Sequence, residues 1–159
     1  MTDRITTVRA VPTAATATSS TTAPALIDVK QGGKTIPAVV AVSKNGLLFL
    51  LNRVTGKPIA EVTDKPVSQS GIVEGEWFAK TQPFSTGFPA FPGLEPTEAR
   101  MWGITPIDQA MCRIEFREAR FEGTMTPIGV DKPTIVWPGY VGGSDWGGVT
   151  VDPVRQVLY

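Results

Sequence analysis

Apolar and polar positions change texture along the chain at about Leu26. From there three short runs rich in β-branched and apolar residues, ALIDV, GGKTIPAVVAV and GLLFLLNR, follow one another with Gly and Pro between them. That is the pattern of adjacent antiparallel strands. Asn45-Gly46 divides the last two runs, and both residues tolerate positive φ. The spacing therefore predicts a two-residue hairpin turn pairing residues 39–43 with 47–52, with Lys44 entering the turn. Thr55-Gly56 makes the next turn.

Upstream, residues 1–23 are dominated by Thr, Ala and Ser, hold no aromatic residue and follow neither a strand nor a helix period, so they read as disordered. They contain no apolar core of the roughly seven or more residues that a secretory signal needs. From about 62 to 100 the chain is polar, Pro-rich and too irregular for strands, with aromatic residues at Trp77, Phe78, Phe84, Phe88 and Phe91. A loop of that length is functional or pinned to a neighbour, and the aromatics are expected to clamp it onto a sheet.

One helix follows. Thr105 caps the amide of Asp108, Pro106 suits the first helical position, and Asp108 complements the positive end of the dipole. Ile107, Ala110, Met111 and Ile114 recur at helical spacing, so a helix to about Arg117 is predicted with that face buried. Cys112 lies on it and reads as a packing residue, since no histidine exists to activate it. TIVWPG, GGVTVDP and RQVLY restore strand texture, with DPVR as the turn of a final hairpin. Ending on VRQVLY leaves this last strand without a cap or a following turn, an edge that normally continues or is covered, which suggests a fragment.

Composition narrows the classes. Gly 16 and Pro 14 in 159 residues make the chain rich in turns and exclude a bundle of long helices. Fifteen basic residues balance fifteen acidic ones, without the basic footprint of a nucleic-acid binder. A single cysteine and no histidine leave neither a disulfide, nor the common zinc ligands, nor the common general base. No apolar run approaches the roughly 20 residues that span a bilayer.

Three ordered blocks carry a resemblance: VSKNGLLFLLNRVTGKP, MWGITPIDQAMCRIEF and WPGYVGGSDWGGVTVDPVRQVLY. From about Leu26 to Tyr159 the chain resembles the pyrroloquinoline quinone (PQQ) dependent dehydrogenases of the membrane-bound glucose, quinate and shikimate group. The resemblance implies an all-β fold: about two blades of an eight-bladed β-propeller, plus an insertion over about 62–125 that carries the short helix. Residues 1–23 are not family-like. The implied activity is oxidation of a sugar or cyclic polyol with hydride transfer to PQQ and electrons passed to ubiquinone. Full-length family members work at the periplasmic face of the inner membrane with calcium or magnesium, whose ligands lie outside this chain. No signal or membrane anchor is seen in the chain itself.

Residue by residue, Lys44 matches the family's cofactor-contacting lysine and would supply electrostatic assistance where negative charge develops on a quinone oxygen. The alternative is a solvated turn lysine. Asp145 and Trp146, in GGSDWGG, match an acid or amide followed by Trp beside the cofactor ring; the alternative is a turn-forming Asp and a core Trp. The family's catalytic aspartate falls near Ala17, where neither Ala17 nor Thr16 and Thr18 titrates near neutrality, so the general base is absent and the chain alone is expected to be inactive. A second function of another class is a small β-rich binding module that uses the aromatic residues of 77–91 as a contact surface.

Overall fold

The computed structural model describes residues 23–90, 93–139 and 141–159. The readings made on residues 1–22 and on Phe91 lie outside the described residues. Strands β1 (Ala25–Gln31), β2 (Lys34–Val42) and β3 (Leu48–Asn52) form one antiparallel sheet in that order. The runs AVVAV and LLFLL do not alternate with polar residues, which suits strands covered on both faces. One face, Ile27, Ala38, Val40, Val42, Leu48 and Leu50, is the core cluster. On the other, Leu26, Val39 and Leu51 stand in register across the three strands. There Val39 is buried while Leu26 stays 57% exposed.

The two hairpin turns differ from the expected one. Gly32 and Gly33, both at positive φ, make the two-residue turn between Gln31 and Lys34. At Lys44 the loop has three residues. Ser43 and Leu47 close it (Ser43 N donates to Leu47 O, 2.9 Å), Gly46 N donates to Ser43 O at 2.8 Å, and Gly46 alone takes positive φ, +77°. Asn45 keeps ordinary backbone angles because this type I turn needs only its last residue in the left-handed region.

The stretch read as too irregular for strands contains a hairpin, β4 (Val62–Pro66) with β5 (Thr81–Ser85). Pro66 and Pro83 masked it in the sequence. They are tolerated because each strand of a two-stranded ribbon has a free edge that needs no amide donor. Of the aromatics, Phe88 does pack on the core cluster, whereas Trp77 is 69% exposed. TIVWPG forms no strand; it holds only a single bridge, Thr134 to Arg120.

Helix α1 (Pro106–Glu118) begins as predicted, with a reciprocal capping box between Thr105 and Asp108. Gly103 in MWGITP is explained by this start: a Cβ there would lie 2.2 Å from the Gln109 amide nitrogen. The predicted buried face is a correction. Ile107 is 73% exposed, and Met111 and Ile114 are each 55% exposed. Cys112 and Phe116 turn inward instead and are half-buried, with Phe116 tilted against Phe121 at 6.0 Å. Local bonds hold the helix, including the Glu98 carboxylate, which pairs with Arg113 at 2.8 Å. Among the described residues no second surface covers the Ile107 side.

β6 (Val151–Asp152) and β7 (Val157–Leu158) form the last hairpin, extended by the Thr150 and Tyr159 backbones. The last strand is thus paired on one edge, in the final hairpin whose turn DPVR predicted. Val151 and Leu158 pack on the core cluster of the first sheet. The same turn is built twice. Asn52 Oδ1 accepts from Val54 N and Thr55 N, Asp152 Oδ1 accepts from Val154 N and Arg155 N, and a left-handed residue follows each, Gly56 or Gln156. The Arg155 amide above all holds the Asp152 carboxyl below its ordinary value. Repetition of a turn with short strands is what stacked blades require.

Gln156 is the one described non-glycine residue at positive φ, +58°. Its side chain plugs onto the edge of β1: Oε1 accepts from Lys30 N at 3.0 Å and Nε2 donates to Asp28 O at 3.2 Å. A left-handed Gln costs about 1 kcal/mol or more, which these bonds offset. Urea unfolding should therefore find Gln156→Ala less stable than the parent, and Gln156→Gly more stable than the Ala variant by about 1 kcal/mol. Equal midpoints for the Ala and Gly variants would show that the turn does not hold this angle.

Candidate functional site

Lys44 sits at the tip of the β2–β3 loop, and its backbone is clamped from across the chain. Gly143 N donates to Lys44 O at 2.7 Å. A Cβ on Gly142 would lie 2.5 Å from Lys44 O and 2.6 Å from Lys44 Cγ, so only glycine allows this approach. The fold thus brings together two stretches singled out separately in the sequence, the SKNG turn and the glycines of GGSDWGG.

Beside the contact lies a cavity of about 90 Å³. Lys44, Asn45 and Gly142 form one side; Thr124, Met125, Thr126 and Ile128 form another; Val136, Trp137, Pro138 and Gly139 close it. Its lining is predominantly apolar, with the Lys44 and Asn45 side chains at one edge. Pockets that enclose drug-sized ligands run from about 300 Å³ upward. This cavity is well below that size.

The Lys44 side chain is half-buried, and among the described residues no hydrogen bond or ion pair engages its ammonium. Ser43 and Asn45, on either side of it, are both 5% exposed. Leu47 N donates to Ser43 Oγ at 3.2 Å, and the Ser43 hydroxyl donates to Asn45 Oδ1. Asn45 Nδ2 is buried without a partner.

The opposite wall is held by a polar knot. Arg120 Nη1 donates to Ser70 O at 3.0 Å and Nη2 donates to Pro127 O. The guanidinium lies where a Cβ on Gly71 would stand, 1.2 Å away. The hydroxyls of Ser68 and then Ser70 hold the Glu122 carboxyl below its ordinary value, helped by the Arg120 charge. Glu122 N in turn donates to Thr126 Oγ1 at 2.8 Å, which fixes the Thr124–Thr126 side of the cavity. This knot ties residues 68–71 of the long excursion to the wall facing Lys44.

Asp145 and Trp146 follow the clamp but do not line the cavity. Asp145 is exposed and its Oδ1 accepts from Trp146 N at 2.9 Å, as a turn-forming Asp does. Trp146 is 83% exposed, so it is not core within the described residues. Asn45, which lines the cavity, was not singled out in the sequence, because N-G there signals only a turn. Among the described residues no group of three or more His, Cys, Asp or Glu side chains is placed to hold a metal, and no helix is long and apolar enough to cross a membrane.

Residues 19–159 match the family described as PQQ: glucose/ethanol/alcohol dehydrogenase, beta-propeller domain. The chain is 47% identical over 128 residues to the glycerol dehydrogenase large subunit of Gluconobacter oxydans, covering 80% of this chain and 17% of that protein. It is 44% identical over 137 residues to the probable quinate dehydrogenase (quinone) of Xanthomonas campestris, covering 86% and 17%. It is 39% identical over 134 residues to the quinoprotein glucose dehydrogenase of Escherichia coli, covering 84% and 16%. The chain thus spans about a sixth of the length of these relatives. No solved structure matches it. With the short antiparallel strands, the twice-built turn and a family match over residues 19–159, the chain belongs to the PQQ glucose/ethanol/alcohol dehydrogenase β-propeller family.

Proposed function

We propose that this segment supplies one corner of the PQQ site of a quinoprotein dehydrogenase, with Lys44 as its fixed cation. The observation that carries the reading is the unpaired Lys44 ammonium beside an apolar cavity, its backbone clamped by Gly142 and Gly143. The residues suit the group: a flat acidic quinone needs apolar walls for its faces and donors at its edge. Trp137, Pro138, Met125 and Ile128 offer the first, Lys44 and Asn45 the second.

When bound, PQQ accepts a hydride from the alcohol carbon of the substrate. Lys44 keeps positive charge where negative charge grows, in a partly desolvated place where such charge acts strongly. Asp145 and Trp146, exposed on the chain itself, would meet the cofactor only where the rest of the ring closes over them. We assign the substrate to sugars or polyols, in keeping with the names of the relatives, which include glycerol as well as glucose and quinate, with ubiquinone as electron acceptor, a calcium or magnesium ion held outside this segment, and a periplasmic location. The isolated segment, a sixth of its relatives' length, is proposed to be inactive by itself.

Titration of PQQ into the apo form of a full-length protein carrying this segment tests the reading by fluorescence. Saturable binding of one cofactor per chain is expected, with glucose, quinate or glycerol oxidised once calcium is added. Absence of saturable binding would overturn it.

A further inference from the structure

Asn45 carries more than its turn requires. A serine hydroxyl has a single proton. Leu47 O lies 3.1 Å from the Ser43 hydroxyl and also accepts the Ser43 amide at 2.9 Å, whereas Asn45 Oδ1 is the nearer acceptor. The Ser43 proton therefore goes to Asn45 Oδ1, while the Ser43 oxygen receives the Leu47 amide. That bond sets the orientation of the carboxamide. Oδ1 faces Ser43, and Nδ2, the donor end, is the atom left without a partner in a residue only 5% exposed. Asn45 also lines the cavity, next to Lys44.

Buried amide donors are almost always satisfied, and one left open beside a cavity points to a group that arrives there. The Asn45 side chain makes none of the bonds that close the turn: its left-handed position is Gly46, and the closing bonds run from Ser43 N, Gly46 N and Leu47 N. An ammonium and a carboxamide donor on consecutive residues suit neighbouring oxygens on one edge of a planar anion.

We propose that Asn45 Nδ2 is a second cofactor-contacting donor, giving a hydrogen bond to a quinone or carboxylate oxygen of PQQ on the edge that Lys44 serves. This rests on the quinoprotein reading above. Lys44 then supplies charge and Asn45 supplies direction, since an amide held by Ser43 offers its proton along a fixed line.

The test is PQQ affinity, measured by fluorescence titration of the apo form of a full-length protein carrying this segment, for the parent, Asn45→Asp and Asn45→Ser. Asn45→Asp keeps the shape and exchanges the donor for an acceptor; Asn45→Ser shortens the side chain without adding charge. A roughly ten- to hundredfold rise in Kd is expected for each, the range for a hydrogen bond to a charged group. Melting of the apo forms serves as the structural readout, and the Ser variant carries the test if Asp at this buried place prevents folding. A Kd within about twofold of the parent, with or without a fall in melting temperature, would overturn the inference and leave Asn45 a turn residue. The two readings separate cleanly. If the parent binds no PQQ, the quinoprotein reading itself fails; if the parent binds and only the Asn45 variants are unaffected, this inference alone fails.

Discussion

Replacing Lys44 by alanine in a full-length protein carrying this segment is expected to slow substrate oxidation by roughly a hundredfold or more while leaving unfolding almost unchanged. The two halves of that expectation have separate physical grounds. Stability should move by less than about 0.5 kcal/mol because the loop is held through backbone atoms that alanine retains: Gly46 N to Ser43 O, Ser43 N to Leu47 O and Gly143 N to Lys44 O. The ammonium has no partner to lose among the described residues. The rate should fall because removing one preorganised group from a site of developing charge costs about 3 kcal/mol in the barrier. Lys44→Arg should recover part of the activity, since charge survives while shape changes, and the Gly142 wall near Lys44 Cγ and Cε leaves a wider head group little room. Steady-state turnover with saturating cofactor measures this. A change within about twofold, under about 0.5 kcal/mol, would make Lys44 an ordinary turn residue.

Gly142→Ala is expected to be the most damaging small change at this site, lowering stability by about 2–4 kcal/mol and reducing turnover through displacement of Lys44. Two costs add here. A residue other than glycine at φ +89° is strained by about 1–3 kcal/mol. The new Cβ also falls 2.5 Å from Lys44 O and 2.6 Å from Lys44 Cγ, so the clamp must open. Gly75→Ala separates the two: Gly75 has nearly the same angle, +90°, and no atom within 4 Å of its added Cβ. Urea unfolding of both variants should show Gly142→Ala the less stable by about 1 kcal/mol or more, and only that variant should lose turnover. Equal losses would mean that the contact between Gly142 and Lys44 is not maintained.

Much of the local architecture was legible. The Thr105–Asp108 capping box, the three strands before residue 53 and the final DPVR turn all depend on bonds between residues a few positions apart, and each stands as read. The errors share a cause. The β4–β5 ribbon was hidden by Pro66 and Pro83, whose compatibility with a strand depends on whether an edge is free. The Ile107, Met111 and Ile114 stripe was read as buried because apolar spacing reports which side of a helix is suited to burial, and not whether anything covers it.

At the candidate site the same division holds. Lys44 and the GGSDW glycines were found in the sequence as separate motifs, and their conjunction is a long-range contact that no spacing encodes. Asn45, written as half of an N-G turn, acquires its meaning only from burial and from the Ser43 hydroxyl that turns its amide.

By itself the sequence determined the family, the first three strands, the last hairpin and the capped helix, because side-chain periodicity, turn chemistry and capping act over a few residues. Only the tertiary structure decided that the Lys44 loop meets Gly142, that an Arg120 knot braces the facing wall, and that Asn45 holds an open donor. These depend on which surfaces meet, and close packing between segments far apart in the chain settles that.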